Sequence, residues 1–149
     1  MAIFLSTFIN KVDNKGRVSI PAQFRNYLNV DGSNVVIIYQ SFVNDCIEGC
    51  NLDYIKKISN AINDLDPFSE ERDAFATAVL GSAIQLNIDS DGRIIIPQEL
   101  LQKADIKDSA VFVGKGSNFE IWQVDKFNQY SQRAKLLAKD KRGMLKINK

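Results

Sequence analysis

One stretch of the sequence occurs twice and decides the fold. Residues 12–21 read VDNKGRVSIP, and residues 88–97 read IDSDGRIIIP. The aspartate, glycine, arginine, isoleucine and proline recur at identical places, and the copies are 76 positions apart, counted from Asp13 to Asp89. The chain therefore consists of two copies of one supersecondary unit, joined by a middle segment that does not repeat.

The repeated turn predicts a β-hairpin in each copy. Aspartate at the first place and glycine at the fourth are typical of a type I turn, in which glycine permits a positive φ. In the first copy, residues 7–12 and 17–20 are rich in strand-forming residues, so we expect strands on both sides of the turn. The residues with this structural role are Asp13 and Gly16 in the first copy, and Asp89 and Gly92 in the second.

Helices and second hairpins follow in each copy. A proline ends the strand and opens a helix, because its missing N–H is not needed there, which predicts short helices over 22–28 and 98–103. Second hairpins come next, with turns predicted at 40–44 and 115–118. A helix with apolar residues at spacings of three and four then closes each unit.

The fold is predicted to need both units. One unit has too few strands for independent stability, whereas two equivalent hairpins can interleave into a small barrel without bare edges. We therefore predict an α+β protein, a pseudo-twofold β-barrel of swapped hairpins built from two tandem repeats. Ser69 is predicted to cap a linking helix that ends at Gly81. The predicted divisions are a first repeat at 7–54, linking helices at 55–80, a second repeat at 83–126, and a C-terminal amphipathic helix with a basic tail at 127–149.

Composition argues against several classes of enzyme. The 149 residues include 19 lysines and arginines against 18 acids, and no histidine. Without histidine there is no Ser-His-Asp or Cys-His catalysis and no His-containing zinc site. The GKGS stretch at 114–117 is predicted to be a hairpin turn, since it lacks the upstream glycine of a phosphate loop. We expect no catalytic residue, cofactor, metal or small-molecule substrate.

Cysteines and termini indicate a cytosolic protein. Cys46 and Cys50, as strand residues four apart, would lie about 13 Å from each other, too far for a disulfide. We expect both to be buried, reduced side chains. The N-terminus lacks the basic region of a signal peptide, and no window is long and apolar enough to span a membrane, so we expect no membrane partner.

The arginine of the repeated turn is the first candidate for function. A hairpin needs no cation there, yet Arg17 and Arg93 occupy that place in both copies. A guanidinium offers five donors in a planar fork that suits phosphate oxygens or a guanine edge. The alternative is that each arginine only pairs with a carboxylate.

The two copies differ in the charges around the turn. Lys11, Lys15 and Arg25 are predicted to form a compact basic cluster with Arg17 in the first copy. In the second copy Asp91 replaces the lysine at the tip, so we expect the first turn to be the stronger nucleic-acid site. Basic residues are also concentrated from Arg133 onward, either as a solvated helix end or as a further nucleic-acid contact. Phe119 and Trp122 are expected to pack in the core or between subunits rather than to stack on bases.

The pattern Asp-x-x-Gly-Arg-x-x-Ile-Pro, with hairpins around it, resembles the AbrB-like DNA-binding module of swapped hairpins. Two copies in a chain of this length, linked by helices and ended by an amphipathic helix, resemble the MraZ family. The resemblance rests on residues 8–25 (FINKVDNKGRVSIPAQFR), 80–83 (LGSA) and 119–122 (FEIW). It covers the chain from residue 8 to about residue 139.

MraZ proteins are bacterial transcriptional regulators that bind promoter repeats of the division and cell-wall gene cluster, typically repress it, and form ring-like homo-oligomers. The resemblance implies a sequence-specific regulator that binds double-stranded DNA and is associated with the nucleoid in the cytoplasm. The alternative is a protein-interaction module, because antitoxins with swapped hairpins bind toxin proteins. The family's DxxxR motifs fall on Asp13 with Arg17 and on Asp89 with Arg93. The predicted DNA-binding residues are Lys15, Arg17, Arg93, Lys11 and Arg25, with the direct contact of the second motif left open.

Overall fold

A computed structural model describes residues 3–29 and 32–147. Residues 148 and 149 of the predicted basic tail lie outside the described residues. The first repeat contains β1 (Thr7–Lys11), β2 (Arg17–Ser19), α1 (Ala22–Leu28), β3 (Val35–Gln40), β4 (Ile47–Cys50) and α2 (Leu52–Asn63). The middle contains α3 (Glu70–Phe75) and a π-helical turn (Ala76–Leu80). The second repeat contains β5 (Ile84–Asn87), β6 (Arg93–Ile95), α4 (Gln98–Lys103), β7 (Ser109–Gly114), β8 (Phe119–Trp122) and α5 (Val124–Asp140), before a 3₁₀ turn (Arg142–Met144).

Local signals set the helix ends. Helices α1 and α4 follow Pro21 and Pro97 directly, and both cover the residues predicted for them. The Ser69 hydroxyl accepts the backbone N–H of Arg72 at 3.1 Å, which is the predicted cap of α3. That helix changes to π geometry before it ends at Gly81. Capping and proline signals depend on a few neighbouring residues, so the sequence locates these ends well.

Strands pair across the repeats. One antiparallel sheet has the order β1-β7-β8-β4-β3-β5, and a second sheet consists of β2 and β6. Strand β1 therefore pairs with β7, and β5 pairs with β3, so each repeat completes the sheet of the other. The prediction of a hairpin ladder between β1 and β2 is wrong, because apart from one bridge, Val12 to Val18, β1 forms its ladder with β7. The backbone N–H and C=O groups of β1 therefore have their hydrogen-bond partners in the second repeat.

The second hairpin of each repeat forms, with β3 paired to β4 and β7 paired to β8. The turn between β7 and β8 lies at 115–118 as predicted, whereas the turn between β3 and β4 spans 41–46 and not 40–44. The α+β class and the antiparallel sheet are confirmed. In the larger sheet, β1 and β5 stand at the two ends of the strand order. Closure into a barrel of swapped hairpins stays a prediction.

The core lies between the two repeats and is rich in aromatic rings. Phe4, Phe24, Phe112 and Phe119 are fully buried, and Phe24 contacts the other three at centroid distances of 5.1–6.4 Å. Phe119 is thus part of the core, as predicted. Trp122 is also buried and stacks on Tyr130 of α5 at 4.7 Å, so α5 is held against the sheet through aromatic contacts.

The two cysteines are buried and free, as predicted, but only Cys50 lies in strand β4, since Cys46 precedes it. Cys46 packs with Val111 and Trp122, whereas Cys50 packs with Tyr39 and Val79 in a separate cluster. Burial raises the pKa of the Cys50 thiol to about 12, and it also raises the pKa of Cys46. Within 3–29 and 32–147, no helix is long and apolar enough to cross a membrane. No three metal-ligating side chains gather in those ranges either.

Candidate nucleic-acid interface

The first turn is built around the carboxylate of Asp13. Its Oδ1 accepts the backbone N–H groups of Lys15 at 2.9 Å and Arg17 at 2.8 Å, and its Oδ2 accepts Nε of Arg17 at 2.9 Å. Gly16 has a φ of +83° and donates its N–H to the Asp13 carbonyl at 3.0 Å. These hydrogen bonds, first of all that from the Arg17 backbone, hold the pKa of Asp13 below its ordinary value.

The second turn repeats this geometry with one difference. Asp89 accepts the backbone N–H groups of Asp91 and Arg93 at 2.9 Å each, and Nε of Arg93 at 3.3 Å. Asp91 also accepts Nη2 of Arg93 at 3.1 Å. Arg93 is therefore held by two carboxylates, whereas Arg17 is held by one through Nε. The Nη groups of Arg17 have no hydrogen-bond partner among the residues the structure describes, so they are available to a ligand.

Each turn is bound by the opposite repeat. The Ile20 N–H donates to the Gly92 carbonyl, and the Ile96 N–H donates to the Gly16 carbonyl, both at 2.9 Å. A helix of the opposite repeat also lies behind each turn. A Cβ added at residue 16 would lie 3.2 Å from Cδ1 of Leu101. The turns are consequently held in place by contacts that link the two repeats.

The predicted cluster of Arg25 with Lys11, Lys15 and Arg17 is not what the structure shows. Arg25 is half-buried and donates from Nη1 to the Ile20 carbonyl at 2.6 Å. Its guanidinium lies against Gly92, in the second turn. Because strands of the two repeats pair with each other, helix α1 packs behind the turn of the other repeat, and Arg25 lies there with it. Leu101 takes the equivalent place behind the first turn.

The β2–β6 pair brings the two arginines together. Its register places Arg17 opposite Ile95, Val18 opposite Ile94 and Ser19 opposite Arg93. Val18 and Ile94 are buried, so the alternating residues lie on the outer side of the pair. We call this outer side the ribbon face. It consists of Arg17, Ser19, Arg93 and Ile95.

Lysine and aspartate side chains surround the ribbon face. A shallow depression of about 430 Å³ there is lined by Lys11, Asp13, Arg17, Ser19, Arg93 and Asp108 among others. Lys15 is exposed at the tip of the first turn. The prediction from sequence assigned the two arginines to separate turns. It did not include Ser19, Ile95 and Asp108 in the site. The twofold repeat was a signal for this arrangement, since equivalent short strands after equivalent turns are natural partners for each other.

Such a surface suits an anionic, repeating ligand. A two-stranded β-ribbon fits the major groove of B-DNA, where arginine can donate two hydrogen bonds to guanine O6 and N7. The same fork fits phosphate oxygens. The carboxylate of Asp13 orients the Arg17 guanidinium through Nε, which reduces the side-chain entropy lost when the ligand binds.

Comparison with known proteins gives a consistent result. A sequence model of the family described as "MraZ protein, putative antitoxin-like" matches residues 3–75 and 79–147. The "Transcriptional regulator MraZ" of Rickettsia felis is 49% identical over 142 residues, and that of Rickettsia bellii 50% identical over 143 residues, with 95% of each chain covered. The protein of the same name from Rickettsia akari is 47% identical over 146 residues, with 98% of each chain covered. With both repeats matched and similarity along nearly its whole length, the chain belongs to the MraZ family.

Proposed function

We propose that this protein is a sequence-specific, DNA-binding transcriptional regulator. It binds promoter repeats of the division and cell-wall gene cluster as a ring-like homo-oligomer and represses that cluster, in the cytoplasm and in association with the nucleoid. The observation that carries the proposal is the shared ribbon face of Arg17 and Arg93. The relatives named as transcriptional regulators support the same role.

The first turn supplies the main contacts in this proposal. Arg17 reaches DNA through its Nη groups, and Lys11 and Lys15 add phosphate contacts from the strand and the tip. Arg93 contributes less, because the carboxylates of Asp89 and Asp91 already hold it. Arg25 adds its charge to the second turn, from its position against Gly92. The β2–β6 pair forms one side of the proposed barrel.

One ribbon face has too few cations to bind DNA tightly, and the net charge of the chain is only +1. A homo-oligomer presents the face several times, and promoter repeats with matching spacing engage successive subunits. Tethering of this kind raises affinity by roughly 10²–10⁴ without a new contact. The proposal therefore requires a surface for self-association.

We assign self-association to two surfaces of opposite charge, each of which also exposes apolar side chains. The acidic tip, residues 64–75, carries five carboxylates and one arginine, and its Phe68 is 95% exposed. Phe75 of the tip contacts exposed Phe42 at 5.8 Å, next to a groove of about 370 Å³. The basic tail, residues 133–147, carries six cations and one carboxylate. In the tail, Leu137 continues the apolar stripe of α5 into solvent.

We take a second copy of the chain as the occupant of the groove. The basic tail of one subunit docks on the acidic tip of the next, with leucines against phenylalanines and lysines against carboxylates. Because the two surfaces differ, the contact is head-to-tail, and such contacts generate rings when the rotation closes. This contact gives the repeated ribbon faces a regular spacing.

Binding to DNA upstream of the protein's own gene tests the main proposal. The double variant Lys15→Ala/Arg17→Ala is expected to lose at least tenfold in affinity, and the footprint of the wild type is expected to show evenly spaced repeats. The control is Lys56→Ala/Lys57→Ala, which removes the same charge from exposed positions of α2. Equal affinity of the two double variants would overturn the proposed interface. Binding should also weaken steeply with added salt.

Charge reversal tests the self-association. Glu70→Lys/Glu71→Lys changes the acidic tip, and Lys135→Glu/Lys139→Glu changes the basic tail. Each variant alone is expected to sediment as a smaller species than the wild type, whereas an equimolar mixture is expected to recover the full size. A mixture that stays small, or single variants of wild-type size, would exclude this contact.

The family description also mentions antitoxin-like proteins, which favours a protein partner as the second candidate. A stoichiometric partner that co-purifies with the chain from its own cell, together with absence of binding to its promoter, would support this candidate over the regulator. Promoter binding that depends on Arg17 would decide against it.

A further inference from the structure

We propose that Ile95 reads thymine in the DNA element, by contact between its side chain and the C5-methyl group of the base. The inference rests on the proposed function, since it requires the ribbon face to enter the major groove. It assigns sequence readout to an apolar residue outside the two DxxxR motifs.

The first observation is the place of Ile95 on the ribbon face. It is the cross-strand partner of Arg17 and is 56% exposed. The residues on either side of it in sequence, Ile94 and Ile96, are 1% and 0% exposed. The exposed side chain of Ile95 is thus not part of the core, to which its two neighbours in sequence belong. It is a separate apolar group on a face otherwise made of arginine and serine.

The second observation is the asymmetry of the ribbon. Ser19 stands at the equivalent place in the first repeat and is paired with Arg93. Equivalent positions of the two repeats therefore form an arginine–isoleucine pair at one end of the ribbon and a serine–arginine pair at the other. Arg17, the arginine with available Nη groups, is the one that has the isoleucine beside it. Cross-strand partners have Cβ atoms about 4.5–5.5 Å apart, so a ligand held by Arg17 also reaches Ile95.

The chemistry of the major groove decides what Ile95 contacts. Base edges there present hydrogen-bonding groups, and the thymine methyl is the apolar exception in ordinary DNA. Arginine pairs best with guanine, and an aliphatic side chain gains most from the methyl group of thymine. Base pairs are about 3.4 Å apart along the helix. A guanine bound by Arg17 and a thymine one or two base pairs away match the separation of the two side chains.

Deoxyuridine substitution tests this contact, because it removes only the methyl group of thymine. The probe is the protected promoter duplex, with each thymine in turn replaced by deoxyuridine. The wild type is expected to lose about three- to fivefold in affinity at a specific position, the effect of one apolar carbon. Ile95→Ser, which copies Ser19, is expected to lose a similar factor on thymine DNA and to be indifferent to deoxyuridine at that position.

Two further variants complete the experiment. Ile95→Val is expected to retain part of the discrimination, and Ser19→Ala is expected to leave it unchanged. Thermal melting checks that Ile95→Ser is folded, as expected for an exposed position. A wild type that binds the promoter through Arg17 but ignores every deoxyuridine would overturn the role of Ile95 and leave the proposed function standing. An Ile95→Ser variant that still distinguishes thymine from deoxyuridine would also overturn the role of Ile95 and leave the proposed function standing. A protein that binds no promoter duplex would overturn both proposals.

Discussion

Arg25 lies directly behind Gly92, in the turn of the other repeat, so closely that a Cβ at residue 92 would come within 2.3 Å of Nη1. Leu101 has the matching position behind Gly16. Each turn is therefore braced by a helix that is distant in sequence. Arg25 thus has a structural role in addition to its proposed charge at the second turn, whereas Arg17 is proposed mainly as a DNA contact, and the two roles can be tested separately.

The glycine of the first turn should be intolerant of any side chain. In Gly16→Ala the new Cβ would lie 2.5 Å from the Ile96 carbonyl oxygen, and the φ of +83° adds strain. Gly116 has a φ of +84° with nothing within 4 Å, so Gly116→Ala measures strain alone, about 1–2 kcal/mol. Gly16→Ala should lose about 1–3 kcal/mol more in urea unfolding, because the carbonyl cannot move away freely. Equal losses of unfolding free energy in Gly16→Ala and Gly116→Ala would contradict the close packing around Gly16.

Substitution of Arg25 should mainly lower stability, whereas substitution of Arg17 should mainly lower DNA affinity. Arg25→Leu removes the hydrogen bond to the Ile20 carbonyl and should cost roughly 1–2 kcal/mol of unfolding free energy. Its effect on DNA affinity should be smaller than that of Arg17→Gln. Arg17→Gln should in turn change stability little, since an exposed ion pair contributes about 0–1 kcal/mol. The reverse pattern would place Arg25 in the primary DNA contact.

Ionised Asp13 should stabilise the folded turn. Its pKa is lowered, first by the backbone N–H of Arg17 and then by the guanidinium. A lowered pKa means that the stabilisation is present above about pH 4 and is lost as the pH falls through the folded value. Carbon-detected NMR titration of the Asp13 carboxyl should show this shift.

The same titration separates the two causes. In Arg17→Gln the backbone donor remains, so the pKa of Asp13 should rise but stay below its ordinary value. A complete return to the ordinary value would show that the guanidinium alone causes the shift.

Lys115 should be required for the stability of the second hairpin. Its Nζ lies 3.2 Å from the carboxylate of Glu120, which is 4% exposed and also accepts Nε1 of Trp122 at 2.8 Å. Lys115→Met leaves this carboxylate buried without its cation and should cost about 2–4 kcal/mol, slightly under the usual range because Lys115 is partly exposed. Adding Glu120→Gln to Lys115→Met should recover part of the loss. If the double variant lost the sum of the unfolding free energies lost by Lys115→Met and Glu120→Gln, the two side chains would not be coupled.

Features that depend on neighbouring residues were predictable from the sequence. Pro21 and Pro97 start helices where expected, Ser69 caps α3, and the turn between β7 and β8 lies at 115–118. Pairing between distant strands was not predictable in the same way, because any exposed strand edge could satisfy the backbone groups of β1. The wrong prediction for the position of Arg25 follows from this ambiguity in strand pairing. A helix assumed to pack on its own turn packs on the turn of the other repeat.

Because β1 pairs with β7 and β5 pairs with β3, two repeats of one chain form a single sheet, and their sequences are free to diverge. A true homodimer of single repeats must carry the same residue at both of its turns, and it looks the same from either end of a palindromic site. Here one end has Lys15 and Leu101, and the other has Asp91 and Arg25. In the proposed complex with DNA, the molecule therefore has a direction along the double helix. Such polarity is what a binding unit needs to recognise elements that are repeated head to tail.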